Sequence, residues 1–216
     1  MLPSISIITP VYNGAMTIAD CIRSVQSQSY PAEHIIVDGC STDYTIKIVK
    51  DMAPSAYILS EPDEGMYDAM NKGISLANGD IIGIMNADDY YVNNQVLSKI
   101  VKIFHIKNVD SVFADLVFVK PENLNKIVRF YRGSDFSLRQ LSYGWMPPHP
   151  TFFVKREIYE KYGRFKTNYK IAADFEILAR FFYKHKITFY YLPEVIVKMR
   201  TGGVSTRSLK SNWILN

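Results

Sequence analysis

The sequence predicts an α/β fold on a mostly parallel sheet, and three observations lead there. Short β-branched runs alternate with amphipathic helical patterns through Val119, the spacing of βαβ units. Each run ends in turn chemistry, such as Pro10 and then Tyr12-Asn13-Gly14, or Asp38-Gly39. The stretch from Gly79 to Asp89 reads as a buried strand closed by two adjacent carboxylates, Asp88 and Asp89, at its carboxyl end. In open α/β sheets that is the edge where ligands bind.

In chain order, Ile5 to Pro10 is a strand stopped by proline, and Ala15 to Gln28 has helical spacing through Ile18, Cys21, Ile22 and Val25. Ile35 to Asp38 is the second strand, with Ser41-Thr42-Asp43 expected to cap the helix that runs through Ile46, Ile48 and Val49. Tyr57 to Leu59 is a third strand. A loop from Ser60 then leads into a helix that ends before Gly79, and Asp80 to Met85 forms the buried strand. A helix follows over Gln95 to His105 and a strand over Ser111 to Val119. Past an irregular stretch, strands are expected at Ile127 to Tyr131 and Thr188 to Leu192, with a helix from Ala173 to Tyr183. Pro147-Pro148-His149-Pro150 is a rigid elbow before Thr151 to Val154.

With 216 residues the chain is one domain, or one with a C-terminal elaboration. A net charge of +4 calls for no nucleic acid partner. Cys21 and Cys40 have neither metal-ligand spacing nor a secreted framework. No signal peptide precedes the first strand, and no apolar run approaches the roughly 18 residues of a membrane span. The expected location is cytoplasmic, with at most a peripheral contact at the membrane surface. From Arg180 to Arg200 basic and aromatic residues interleave. That pattern suits lysines snorkelling over an aromatic core, or a face that meets anionic headgroups.

Three constellations carry chemistry. Thr9-Pro10-Val11-Tyr12-Asn13 and Asp38 to Asp43 follow neighbouring strands and should line one slot. Pro10 and Tyr12 offer flat apolar surface, and Asp38 an acceptor for an N–H on a base edge such as uracil's. The loop lacks the G-x-G-x-x-G spacing of a dinucleotide site. Asp88 and Asp89 have no basic neighbour in sequence, so they repel unless a cation shares them; Mg²⁺, arriving with substrate phosphates, is the natural guest. Asp174 starts a helix, where it either caps the amides or serves as a general base, with Glu176 the weaker candidate. Among four histidines only His149, between prolines, is held rigidly enough to line a site, and no Ser-His-Asp, Cys-His or H-E-x-x-H set is evident.

Ile7 to Gly14, Val37 to Asp43, Asn86-Ala87-Asp88-Asp89 and Ala173-Asp174-Phe175-Glu176 occur in the order found in family 2 glycosyltransferases, which this chain resembles from about Ser4 to Ser205. The segment Glu61 to Gly79 is most similar to the branch that builds bacterial O-antigen and other surface polysaccharides. The resemblance implies a GT-A fold, a three-layer sandwich around a mainly parallel sheet with a small antiparallel C-terminal piece. It also implies inverting transfer from a nucleotide sugar, a UDP-sugar foremost, with Mg²⁺ or Mn²⁺ on the diphosphate. Carried over by position, Thr9, Pro10, Tyr12, Asp38 and Asp88 bind the nucleotide, Asp88 and Asp89 the metal, and Asp174 is the catalytic base. His149, Gly202 and Gly203 line the sugar and acceptor side. The implied organisation is a single catalytic domain, with a nucleotide-binding half over about 1–90 and an acceptor half over about 91–216. The acceptor is a saccharide, with a polyprenyl-diphosphate carrier the favoured form. Asn86 stands where some branches carry an acid, and Cys40 where glycine is usual. Two rivals are a non-catalytic nucleotide-sugar-binding module and, less favoured, a sugar nucleotidyltransferase. The latter wants a basic phosphate loop, and no Lys or Arg lies between Leu2 and Ile22.

Overall fold

The structure, a computed structural model, describes residues 1–202. In chain order it runs β1 (Ile5–Val11), α1 (Ile18–Gln26), β2 (Glu33–Asp38), α2 (Thr45–Met52), β3 (Tyr57–Ser60), α3 (Met66–Leu76) and β4 (Ile81–Ile84). Then come β5 (Tyr90–Tyr91), α4 (Val96–Lys107), β6 (Ser111–Lys120), β7 (Asn123–Tyr131), α5 (Leu138–Leu141), β8 (Phe153–Lys155), α6 (Arg156–Tyr162), α7 (Ala173–Ala179) and β9 (Phe189–Arg200).

The described strands form one sheet in the order β3-β2-β1-β4-β8-β6-β9-β5, with β7 added along β6. The first four strands are parallel, and the antiparallel pairings all fall in the second half, through β5, β7 and β8. This is the expected α/β class. β1 is buried end to end, as a central strand covered on both faces must be. Its alternation splits the interior in two: Ile5 and Ile7 join one core and Ile8 the other. The first core takes Ile18, Ile22 and Val25 of α1, Val49 of α2, and Leu97, Ile100 and Phe104 of α4. The second takes Met70 and Ile74 of α3, Ile158 of α6, and Ile177 and Leu178 of α7. Helices therefore cover both faces of the sheet, a three-layer sandwich.

Several local expectations change. Neither Ser41 nor Thr42 caps α2: Ser41 Oγ accepts the Asn13 N–H and the Thr42 N–H donates to Asn13 Oδ1. Asp43 serves the helix start instead, accepting the Thr45 N–H at 2.9 Å. β9 runs eight residues past Leu192, because its pairing with β6 jumps from Leu192 opposite Ala114 to Val195 opposite Asp115. Pro193 sits in that bulge, where a missing N–H is tolerated, so a local turn signal became an interruption within one strand. In the basic-aromatic segment from Arg180, Phe181 and Phe182 are fully buried, while Tyr183 and Phe189 are exposed. α7 continues there as a wide π turn over Arg180–Lys184.

Candidate active site

Strand direction decides which residues meet. β1, β2 and β4 run parallel, so Thr9 to Asn13, Asp38 and the Asn86 to Asp89 turn leave the sheet at one edge. β8 is antiparallel to β4, with Phe153 opposite Gly83, so the His149–Thr151 turn before it lies at that same edge. β6 and β9 again run parallel to β4, which brings Arg200, the last residue of β9, there too.

The two loops after β1 and β2 are laced together as expected. Asn13 exchanges hydrogen bonds with Ser41 and Thr42, and the Gly14 N–H donates to Thr45 Oγ1 at 2.9 Å. Asn13 and Cys40 both take left-handed backbone, φ 50° and 61°, which explains why glycine is the easier residue at the Cys40 position. Asp38 is fully buried and accepts from Ser60 Oγ at 2.7 Å and from the Ser41 N–H at 3.1 Å. Above Gly39 sits the Asp63 carboxylate, where even a Cβ would lie 2.4 Å from its Oδ2, so the Ser60 to Gly65 loop closes on the end of β2. Tyr12 stands 64% exposed beside this slot. Pro10 is buried in β1, opposite Val37. Thr9 differs from expectation: its hydroxyl turns inward to His34 Nε2 at 2.9 Å, so only its backbone faces the slot's root. Burial pushes the His34 imidazole down to about 4 and the Cys21 thiol up to about 12, leaving both neutral.

The acid pair lies on a turn beyond β4. Asp89 is fully buried, with Oδ2 accepting from Asn86 Nδ2 at 3.0 Å. Burial first, and then the Asp88 charge, hold its carboxyl well above the usual range. Sequence gave this pair no cationic neighbour; tertiary structure supplies one. Arg200, 7% exposed, donates to the Asp88 carbonyl at 2.6 Å, pairs with Asp20 of α1, and lies 5.2 Å from the Tyr90 ring centroid. Asp89 Oδ1 and Asn86 Oδ1 are buried without a hydrogen-bond partner. Two carboxylates beside unpartnered oxygens are the donor chemistry that a hard divalent cation takes, so these residues fit such an ion. Among the described residues no three His, Cys, Asp or Glu side chains converge as a closed metal cage. An ion here would need further oxygens from substrate phosphates or water, which is how Mg²⁺ usually sits.

Asp174 lies in the first turn of α7, after Ala172 at φ 72°. Its Oδ1 accepts from the Tyr67 hydroxyl at 3.2 Å and the Phe175 N–H at 2.9 Å. Tyr67, in the first turn of α3, stacks on Phe165 at 5.5 Å, and burial followed by the Asp174 charge keeps its phenol protonated. His149 meets the edge of the same Phe165 ring at 5.7 Å. Burial lowers the His149 imidazole, with the Asp174 charge opposing, so His149 and Asp174 share one electrostatic neighbourhood. Thr151 anchors that turn by donating to the Ala114 carbonyl at 2.8 Å. Glu176 is committed elsewhere, to Arg180 and Lys166. Gly202 has φ 96°, while Gly203 and the Val204-Ser205 pair lie outside the described residues. Sequence reasoning missed Tyr67 and Arg200. Neither carries a local signal, since each is defined by a partner more than 100 residues away.

Comparison with known proteins bears on the family and the fold. Over 219 residues the chain is 29% identical to a PGL/p-HBAD biosynthesis glycosyltransferase of Mycobacterium tuberculosis, covering 98% of this chain and 83% of that protein. It is 28% identical over 182 residues to glycosyltransferase AglE of Haloferax volcanii, covering 80% of this chain and 59% of the relative. The fold matches S. aureus TarS 1–349 in complex with UDP-GlcNAc at TM-score 0.75 and 20% identity, over 95% of this chain and 61% of that one. It also matches the mannosyltransferase PcManGT of Pyrobaculum calidifontis, in complex with GDP-Man and Mn²⁺, at TM-score 0.72 and 25% identity, over 95% and 59%. The chain thus spans less than two thirds of each of these two solved structures. The profile of glycosyl transferase family 2 matches residues 6–163, most of the sequence, and the chain belongs to that family.

Proposed function

We propose that this chain transfers a monosaccharide from a UDP-sugar to an acceptor hydroxyl, with inversion, in the building of a bacterial surface polysaccharide. The observation that carries the reading is the gathering of Asp38, Asp88, Asp89 and Asp174 at one sheet edge from three separate segments. Support for the donor class comes from similar folds that bind UDP-GlcNAc and GDP-Man. The nucleoside would lie between Tyr12 and the Asp38 loop, in a nucleotide half of about 1–90. The acceptor would enter over the half from about 91, past His149 and Gly202. Asp174 would take the proton from the acceptor hydroxyl as its oxygen attacks the anomeric carbon opposite the leaving diphosphate. Tyr67 and the Phe175 N–H would hold that carboxylate in place. Asp88 and Asp89 would hold Mg²⁺ or Mn²⁺, whose charge offsets that growing on the diphosphate. Among the described residues no helix is long and apolar enough to cross a membrane. The proposed place of action is the cytoplasmic membrane surface, where a polyprenyl-linked acceptor would be met.

The test pairs UDP calorimetry in Mn²⁺ with turnover of UDP-sugars, read as acceptor transfer or as slow release of free UDP. Asp174→Ala should lose about 10²–10⁴-fold in turnover yet keep UDP affinity. Asp89→Ala should weaken UDP binding when Mn²⁺ is present. Equal turnover in wild type and Asp174→Ala would remove that residue from the chemistry. Nucleotide binding without turnover on any donor would favour the non-catalytic module.

A further inference from the structure

β7 is the most exposed strand in the described chain, although its hairpin partner β6 is largely core. Six consecutive β7 residues, Asn125 to Phe130, are exposed on both faces of the strand. Among them Ile127 and Val128 are 45% exposed and Phe130 54%. A β-strand usually turns at least one face inward, and edge strands are normally short or blunted by charge. Here large apolar side chains stand in solvent on both sides of a nine-residue edge strand.

Charge accompanies them. From Asn123 to Tyr143 the chain carries Lys126, Arg129, Arg132 and Arg139 against one carboxylate residue, Asp135. These 21 residues hold most of the net charge of a 216-residue chain. Leu138 and Tyr143, on and just after the short α5, are exposed as well, Tyr143 by 75%. By contrast, the basic-aromatic stretch from Arg180 spends Phe181 and Phe182 on the core.

The hairpin is also continuous with the active site. β6 runs parallel to β4, so the turn into β7 emerges at the edge that carries the acid pair. Leu124 beyond that turn accepts through its carbonyl from Lys198 Nζ at 3.4 Å, and Val119 pairs with Arg200. At the other end, the Tyr131 hydroxyl donates to the Met146 carbonyl, three residues before His149. Burial first, and with it the Asp174 charge, raises the Tyr131 phenol. The strand is thus tied at both ends to the walls of the site.

We propose that β7 and α5 form the surface by which this protein docks on an anionic phospholipid bilayer, with Ile127, Val128 and Phe130 entering the headgroup layer and Lys126, Arg129 and Arg139 meeting lipid phosphates. Apolar side chains with a cationic surround are what an anionic interface binds. A second copy of the chain is the less suitable occupant, because pairing β7 with itself would set the same four cations against one another. Docked this way, the protein turns the active-site edge towards lipid, where a lipid-linked acceptor would be found. That last point rests on the function proposed above; the docking surface itself does not.

Sedimentation of the 216-residue chain with vesicles tests it, using phosphatidylcholine alone and mixtures containing phosphatidylglycerol. Wild type should bind the anionic vesicles and release from them as salt rises. Lys126→Gln with Arg139→Gln should weaken that binding about 25-fold, five-fold per charge, and flatten its salt dependence. Phe130→Ser with Ile127→Ser should weaken binding while leaving the salt dependence in place. Tyr183→Ser with Lys184→Gln, in the other basic-aromatic segment, should bind like wild type. Release of UDP from a UDP-sugar in solution should be unchanged in all three variants, which keeps a failed docking surface separate from a failed enzyme. Wild type that ignores anionic vesicles would overturn the proposal. So would hairpin variants that bind as wild type does, or a hairpin-dependent dimer in light scattering without lipid.

Discussion

A protonation experiment on His34 probes the root of the proposed nucleotide slot. The imidazole is buried, with Nε2 bonded to Thr9 Oγ1 at 2.9 Å and Nδ1 without a partner. Protonation would place a second N–H, and a charge, where nothing accepts it, so burial lowers the folded value from 6.5 to about 4. The unfolded chain therefore binds this proton first. The stability it represents is complete above the unfolded value and drains away as pH falls from there towards 4. Worked through linkage, about 2 kcal/mol is lost by pH 5 and about 3 kcal/mol once pH is below the folded value. For a chain of this length, 2 kcal/mol is about 4–8 °C in Tm. His34→Gln keeps a hydrogen-bonding amide near Thr9 and cannot titrate. Urea melts of both proteins at pH 7.5 and pH 5 give the comparison, since acid-sensitive carboxylates are common to the two. The variant's loss between these pH values should be smaller by about 2 kcal/mol. An equal loss in both would refute the idea that a neutral His34 is built into the fold. His34 should add no pH dependence to UDP affinity between pH 7.5 and pH 5, because in the folded protein its imidazole stays neutral down to about 4.

Three further outcomes are expected. Tyr67→Phe keeps the ring stack on Phe165 but deletes the 3.2 Å bond to Asp174, worth about 1.5 kcal/mol; turnover should fall about tenfold with UDP affinity unmoved. A loss as large as that of Asp174→Ala would instead give Tyr67 a direct part in the chemistry. Cys40→Gly relieves a left-handed residue at φ 61° and should raise the unfolding free energy by about 1 kcal/mol, read as a higher urea midpoint at constant slope, net of the flexibility glycine adds to the unfolded chain. Arg200→Met removes the guanidinium from Asp20 and from the Asp88 carbonyl. It should cost roughly 2–3 kcal/mol by chemical denaturation, below the full penalty of a broken buried pair because a third of the Asp20 side chain stays in water.

The residues divide by how far their meaning travels along the chain. Sequence alone was enough for the α/β class, the strands from Ile5 to Ile84, and the acids at their carboxyl ends. The reason is physical: in a parallel sheet covered on both faces each strand is a local apolar run, each crossover a local helical pattern, and the next loop must emerge at the same edge. Asp38, Asp88 and Asp89 follow from that rule without knowledge of any contact. Long-range pairing alone decided the rest. β9 is long because β6 draws it past Pro193 through a bulge, and Asp174 joins the site because Tyr67, 107 residues earlier, reaches it. Arg200 stands beside the acids because β9 happens to end where β4 does. Phe182 and Phe130 are both phenylalanines among basic neighbours, yet one is core and the other stands in water. What separates them is which strand or helix lies across from each, and that is a property of the packed chain rather than of its local composition.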